Sequence, residues 1–140
     1  MTPAYVSFFR RRFPAGLRAR LPRMIQGIPV SSARSLALNR VYRGHSKAAN
    51  VLSFRYGKEY GEIIICPEVI RREAHIAGLD ARFQTARMVL HGMIHLSGLH
   101  HEESQGADGR TVRLEAHLLS AVRTRLSRLA RIAISARTFF

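Results

Sequence analysis

The stretch His91-Gly92-Met93-Ile94-His95-Leu96-Ser97-Gly98-Leu99-His100-His101 decides how this chain is read. His91 and His95, four residues apart, lie one turn from each other on one face of a helix. Gly98 is the residue type that takes a left-handed backbone and ends a helix abruptly. The chain can then fold back and aim His101 at the same spot. Three converging imidazoles leave one position of a tetrahedral zinc open for water, the arrangement of a catalytic rather than a structural site. His100 stays open at this point: it replaces His101 as ligand, lies behind the ligands, or faces solvent. Where zinc proteases carry two such helical histidines, a Glu after the first is the general base; here that position is Gly92, which does no proton chemistry. Lone helical histidines are ordinarily partly buried polar residues, and His45, His75 and His117 take that reading. Four of the seven histidines fall within these eleven residues at ligand spacing, which points to metal.

Outward from the motif, Asp80 caps the helix that ends at Gly98. Phe83, Ala86, Val89, Leu90, Met93, Ile94 and Leu96 make it apolar nearly all round, so it is expected to be the central buried helix with the metal at its C-terminal end. Met88 and Met93 read as core, not as ligands. Upstream, Glu62 to Cys66 is a strand buried on both faces, with Cys66 as core filler, and Pro67 and Gly78 bracket a helix. Asn50 to Tyr56 reads as a strand and Gly57 to Gly61 as a loop. Ser31 or Ser32 caps a helix over Ala33 to Tyr42. Ala15 to Ile25 is a short amphipathic helix weakened by Pro22, and Ala4 to Phe9 has strand-like composition. Downstream, Asp108 to about Ile132 is a long amphipathic helix. Its inward stripe is Val112, Leu118, Leu119, Val122, Leu126 and Leu129, with Arg110, Arg113, Arg123, Arg128 and Arg131 outside it. The expected fold is one α+β layered domain over residues 1–140.

Charge narrows the function. The chain carries 23 Lys+Arg against 9 Asp+Glu, and twelve basic residues precede the first acidic one, Glu59. Such a balance implies a polyanionic partner. Arginine outnumbers lysine 21 to 2, which suits phosphate, because a planar guanidinium grips two oxygens at once. No apolar run approaches the roughly eighteen residues of a membrane span, so no membrane partner is expected. Cys66 stands alone, excluding an internal disulfide and fitting a reducing compartment. The Arg-rich, acid-free first 24 residues also allow a mitochondrial transit peptide, although only Ser7 supplies its usual serine enrichment.

Two blocks of residues resemble the YbeY endoribonucleases, or rRNA maturation factors. Leu38-Asn39-Arg40-Val41-Tyr42-Arg43-Gly44 and Asn50-Val51-Leu52-Ser53-Phe54 are similar to the family's L-N-x-x-Y-R-G and T-[ND]-V-L-S-F, followed by Gly61-Glu62-Ile63-Ile64-Ile65-Cys66 for its G-D-I-x-I strand. The histidine motif resembles H-G-x-x-H-L-x-G-Y-D-H, which implies His91, His95 and His101 as ligands of one zinc per chain. Glu115 resembles the glutamate on the family's last helix. The resemblance covers about residues 33–130. It implies a small mixed β-sheet covered by helices, with a zincin-like metal helix. It also implies a bacterial, cytoplasmic, zinc-dependent endoribonuclease specific for single strands. The expected work is 16S rRNA 3′-end maturation and ribosome quality control, with the small ribosomal subunit as partner and no DNA preference. Three positions differ from the pattern: Leu99-His100 replace Tyr-Asp, Ala48-Ala49 replace Pro-Thr, and only Gly27-Ile28-Pro29-Val30 is available for a strand before Leu38. The N-terminal strand region is therefore expected to be shortened or absent.

A zinc held by three histidines lowers the pKa of water from about 15.7 toward about 7. Phosphodiester cleavage also needs positive charge where the oxyanion develops, and Arg43 is the candidate, matching the arginine after the family's tyrosine. Its plain reading is a surface arginine at a helix C-terminus. Arg43 and Lys47 are the candidate substrate contacts. Two other classes remain: a ribosome-associated binding factor whose metal is structural or weakly catalytic, and a zinc protease, which Gly92 disfavours.

Overall fold

A computed structural model describes residues 2–99 and 105–138, with side chains described for 4–99 and 111–127. Its elements run α1 (Thr2–Arg12), α2 (Ala15–Arg18), β1 (Met24–Pro29), α3 (Ser32–Arg43), β2 (Val51–Tyr56), β3 (Tyr60–Ile65), α4 (Pro67–Ala77), α5 (Ala81–Leu96) and α6 (Gln105–Thr138). The fold is α+β. The three strands form one mixed sheet in the order β1-β3-β2, with β1 parallel and β2 antiparallel to β3. Central β3 carries the unbroken run Ile63-Ile64-Ile65, each under a tenth exposed, as a strand covered on both faces requires.

Helix α5 is the centre of the core. Phe83, Ala86, Met88, Val89, Leu90, Met93, Ile94 and Leu96 are all buried, so both methionines are packing residues. Asp80 caps the helix, its carboxylate accepting from the Arg82 backbone N–H at 2.7 Å. At the other end Ser97 donates its backbone N–H to Met93 and Ile94, and Gly98 follows with φ +84°, the left-handed turn the motif demanded. Helix α5 lies unusually close to the sheet. A Cβ at Gly92 would come within 3.1 Å of Ile63, and one at Gly61 within 3.3 Å of Leu96. Gly92 therefore stands where a side chain would push α5 away from β3.

Several sequence expectations are corrected. Ala4–Phe9 is helix, not strand: Val6, Phe9 and Phe13 recur at helical spacing and are buried, each contributing roughly 1.5–3 kcal/mol by leaving water. The strand-like composition loses because no alternation separates two faces. The expected helix over Ala15–Ile25 stops at Arg18, and its end becomes β1. That strand has six residues paired in register from Met24↔Tyr60 to Pro29↔Ile65, so the sheet is not missing its N-terminal strand. Val112 is 60% exposed, whereas Thr111, Leu118 and Val122 are buried, so the inward stripe runs through Thr111 in place of Val112. Arg113 and Arg123 face outward as read, while Arg110, Arg128, Leu129 and Arg131 lie outside the described side chains. His45, His75 and His117 are exposed rather than partly buried. Cys66 is 1% exposed, as core filler should be.

Candidate functional site

The face of α5 that escapes the core ends in His91 and His95. Their rings meet edge to face with centroids 4.5 Å apart, and their Nε2 atoms are 3.1 Å apart. Two nitrogens bound to one tetrahedral zinc at about 2.0–2.1 Å lie roughly 3.3 Å from each other, so this pair fits the ion with almost no rearrangement. Helix α6 adds a carboxylate on the far side: Glu115 Oε1 lies 3.8 Å from His91 Nδ1. A carboxylate there favours the proton on Nδ1, which leaves the Nε2 lone pair facing the site. His101 and His100 lie outside the described residues, and among the described residues no group of three metal-ligating side chains gathers.

Arg43 comes to the same place from the other side. His91 and His95 open onto a cavity of about 340 Å³ whose lining includes Arg43, Tyr42, Ser53 and Phe54. The route is local. Helix α3 begins at Ser31, whose hydroxyl accepts from the Arg34 N–H, and ends at Gly44 with φ +68°, setting Arg43 on its last turn. Tyr42, 63% exposed, meets Phe54 of β2 edge to face with centroids 4.9 Å apart. The sequence brings Arg43 within one cavity of the histidines although 48 residues separate it from His91.

Lys47 does not line that cavity. It lines the adjoining one, of about 400 Å³, together with Arg43 and His45. The loop that carries Lys47 is held by two buried polar side chains of α3 that the sequence reading did not single out. Asn39 donates from Nδ2 to the Lys47 carbonyl at 2.8 Å, while the Ser35 hydroxyl donates to the Ala49 carbonyl at 2.7 Å and accepts from the Ala49 N–H at 2.9 Å. Both are 2% exposed. A polar residue on the inward face of an otherwise apolar helix was the available signal, because burying it without partners costs about 1–3 kcal/mol. Among the described residues no ion pair engages Arg43 or Lys47, so both keep their charge for a ligand.

Gly92 lies between the two histidines, against Ile63. The position where a protease would hold its base is thus a packing contact, and the protease reading falls.

The model of the family described as Endoribonuclease YbeY matches residues 17–122. Among curated relatives, the Endoribonuclease YbeY of Azoarcus sp. (strain BH72) is 41% identical over 92 residues, 56% of this chain and 36% of that protein. The one from Herminiimonas arsenicoxydans is 35% identical over 104 residues, 66% of each. The chain thus spans about a third to two thirds of the curated relatives it matches. The solution structure of TM1509 from Thermotoga maritima superposes with a TM-score of 0.59 at 20% identity, covering 90% of this chain and 86% of that one, which shows a shared fold.

Proposed function

This chain belongs to the endoribonuclease YbeY family, and from that premise we propose that it is a zinc-dependent endoribonuclease acting on single-stranded RNA. Its substrate is precursor small-subunit rRNA, cut in 3′-end maturation and in ribosome quality control, in the cytoplasm and in company with the small subunit. The observation that carries the reading is the convergence of His91 and His95 Nε2 in one cavity with Arg43. His91, His95 and, as the family motif implies, His101 would hold the ion. Zinc, when bound, supplies Lewis acidity toward water and phosphate.

The remaining work falls to this chain's own side chains. Arg43 grips the scissile phosphate through two N–H groups and meets the negative charge that grows on its oxygens as the bond breaks. Glu115, with its carboxylate 3.8 Å from His91 Nδ1, favours a proton on that nitrogen electrostatically, which makes it a positioning residue. The stiff, close packing of α5 on β3 through Gly92 keeps the two histidines at a constant distance from β2 and Arg43.

A second reading is favoured by the net charge of +14: an rRNA-binding assembly factor whose metal is structural or weakly catalytic. Metal content and cleavage of single-stranded RNA, measured on wild type and His95→Ala, separate the two. The nuclease reading expects about one zinc per wild-type chain, and loss of both zinc and cleavage in His95→Ala with RNA binding retained. Zinc-loaded wild type that binds RNA and leaves it intact establishes the factor instead.

A further inference from the structure

We propose that the cleft between the β2–β3 hairpin and the C-terminal end of α5 binds backbone phosphates of the RNA strand, on the side of the histidine pair away from Lys47. The inference rests on the reading of RNA as substrate. This cleft has a volume of about 740 Å³, and Arg20, Arg55 and Lys58 line it. It shares Ser53 and His95 with the histidine cavity, and that cavity in turn shares Arg43 with the one lined by Lys47. The three cavities therefore adjoin in a row, with the histidine cavity in the middle and cations lining the cavities at both ends.

The charges of the cleft are not spent internally. Among the described residues no carboxylate lines it, and no ion pair engages Arg20, Arg55 or Lys58. A helix C-terminus ordinarily repels anions through its open carbonyls. Here those carbonyls are covered: Ser97 and Gly98 donate to Met93, Ile94 and His95, and Arg55 donates to the Leu96 carbonyl. Arg55 also donates to the Arg20 carbonyl at 2.7 Å, tying the α2–β1 connection to the hairpin. Arg20 itself lies over Gly98, where a Cβ would come within 2.8 Å of its Nη2. Three cations from segments distant in sequence thus line a cleft with no carboxylate among its described lining residues, beside a helix end whose carbonyls are capped. A row of adjoining cavities with cations spaced along it suits a flexible polyanionic strand.

The test uses the full-length, zinc-loaded chain and a fluorescent single-stranded oligoribonucleotide, with dissociation constants measured across salt concentrations. Arg20→Gln/Lys58→Gln should weaken binding by roughly tenfold at physiological salt and flatten the log–log slope by about 1.4, near 0.7 per lost phosphate contact. Either single variant should give about half that change, so the proposal survives misfolding of one of them. Arg71→Gln/Arg72→Gln removes the same charge from exposed positions on α4 outside the groove and should leave the slope nearly unchanged. Cleavage at saturating RNA should be preserved in Arg71→Gln/Arg72→Gln. Equal slope changes in the two pairs overturn the cleft as a phosphate site. Wild type that never cleaves, with the slope difference intact, overturns the nuclease reading and leaves the phosphate site standing.

Discussion

At the Lys47 arm of the groove, the cations come from one stretch: α3 ends in Arg43, and the loop carrying Lys47 is stitched back to α3 by Ser35 and Asn39. At the Lys58 arm, Arg20 arrives from the connection after α2, Arg55 from β2 and Lys58 from the hairpin turn. The first arm is held by short-range hydrogen bonds to buried polar side chains. The second exists only because α5 ends where β2, β3 and the α2–β1 connection meet. A short local unit keeps its geometry when the rest of the domain loosens, whereas a composite cleft follows the packing of the core. The arms should accordingly respond differently to damage.

The largest effect should come from the point they share. His95 lines both the central cavity and the cleft, so His95→Ala should abolish tight zinc binding and cleavage while salt-dependent RNA affinity persists. Zinc content by mass spectrometry and an RNA cleavage gel check it; full zinc occupancy in His95→Ala would remove this residue from the ligand set.

Next in size is Arg43→Ala, which should lower single-turnover cleavage by about 10²–10³-fold while binding changes only a few-fold, because a donor aimed at developing charge acts mainly in the transition state. Arg43→Lys should rescue poorly, since an ammonium lacks the two-pronged geometry. If Arg43→Ala behaves like Arg71→Ala in single-turnover cleavage, the Lys47 arm holds only binding charge and the two arms are chemically alike.

Packing should distinguish the arms at smaller cost. Gly92→Ala adds a Cβ 3.1 Å from Ile63, and the strain should lower stability by about 1–3 kcal/mol in urea denaturation. Because it displaces α5 from β3, it should also reduce the contribution of Lys58 to RNA affinity more than that of Lys47. Equal losses would show that the arms move as one body.

The smallest effect should spare both arms. Asp80→Ala removes the α5 cap, far from the groove, and should cost about 0.5–2 kcal/mol without changing RNA affinity. Hydrogen bonds from the Arg82 side chain hold the Asp80 carboxyl below the usual carboxylate range, and the Arg82 guanidinium is correspondingly raised. A depressed carboxylate stabilises the fold at pH above its unfolded value and loses that contribution as pH falls through its folded value. Both side chains are more than 40% exposed, so solvent screens the pair and the acid-side loss should be slight. Thermal melts of wild type and Asp80→Asn from neutral pH into the acid range measure it; Asp80→Asn keeps a capping side chain and should flatten that dependence.

Much of this molecule is determined by local sequence alone. The capped and terminated α5, with His91 and His95 one turn apart, follows from helical periodicity, Asp80 and Gly98. So do α3 with Arg43 on its last turn, and a buried β3 built on consecutive isoleucines. The helix limits need only interactions within a few residues, whereas the isoleucine run marks β3 for burial and leaves its partners to the fold. Other features were decided by what the segments meet. Ala4–Phe9 became a helix because its phenylalanines had a core to enter, and Met24–Pro29 became a strand because β3 offered an open edge. Val112 was left exposed because the buried face of α6 runs through Thr111, Leu118 and Val122. Serine and asparagine at positions 35 and 39 gained their role only when a loop was folded onto them. The cleft at Arg20, Arg55 and Lys58 has no motif, because its members come from separate segments and long-range packing alone makes them neighbours.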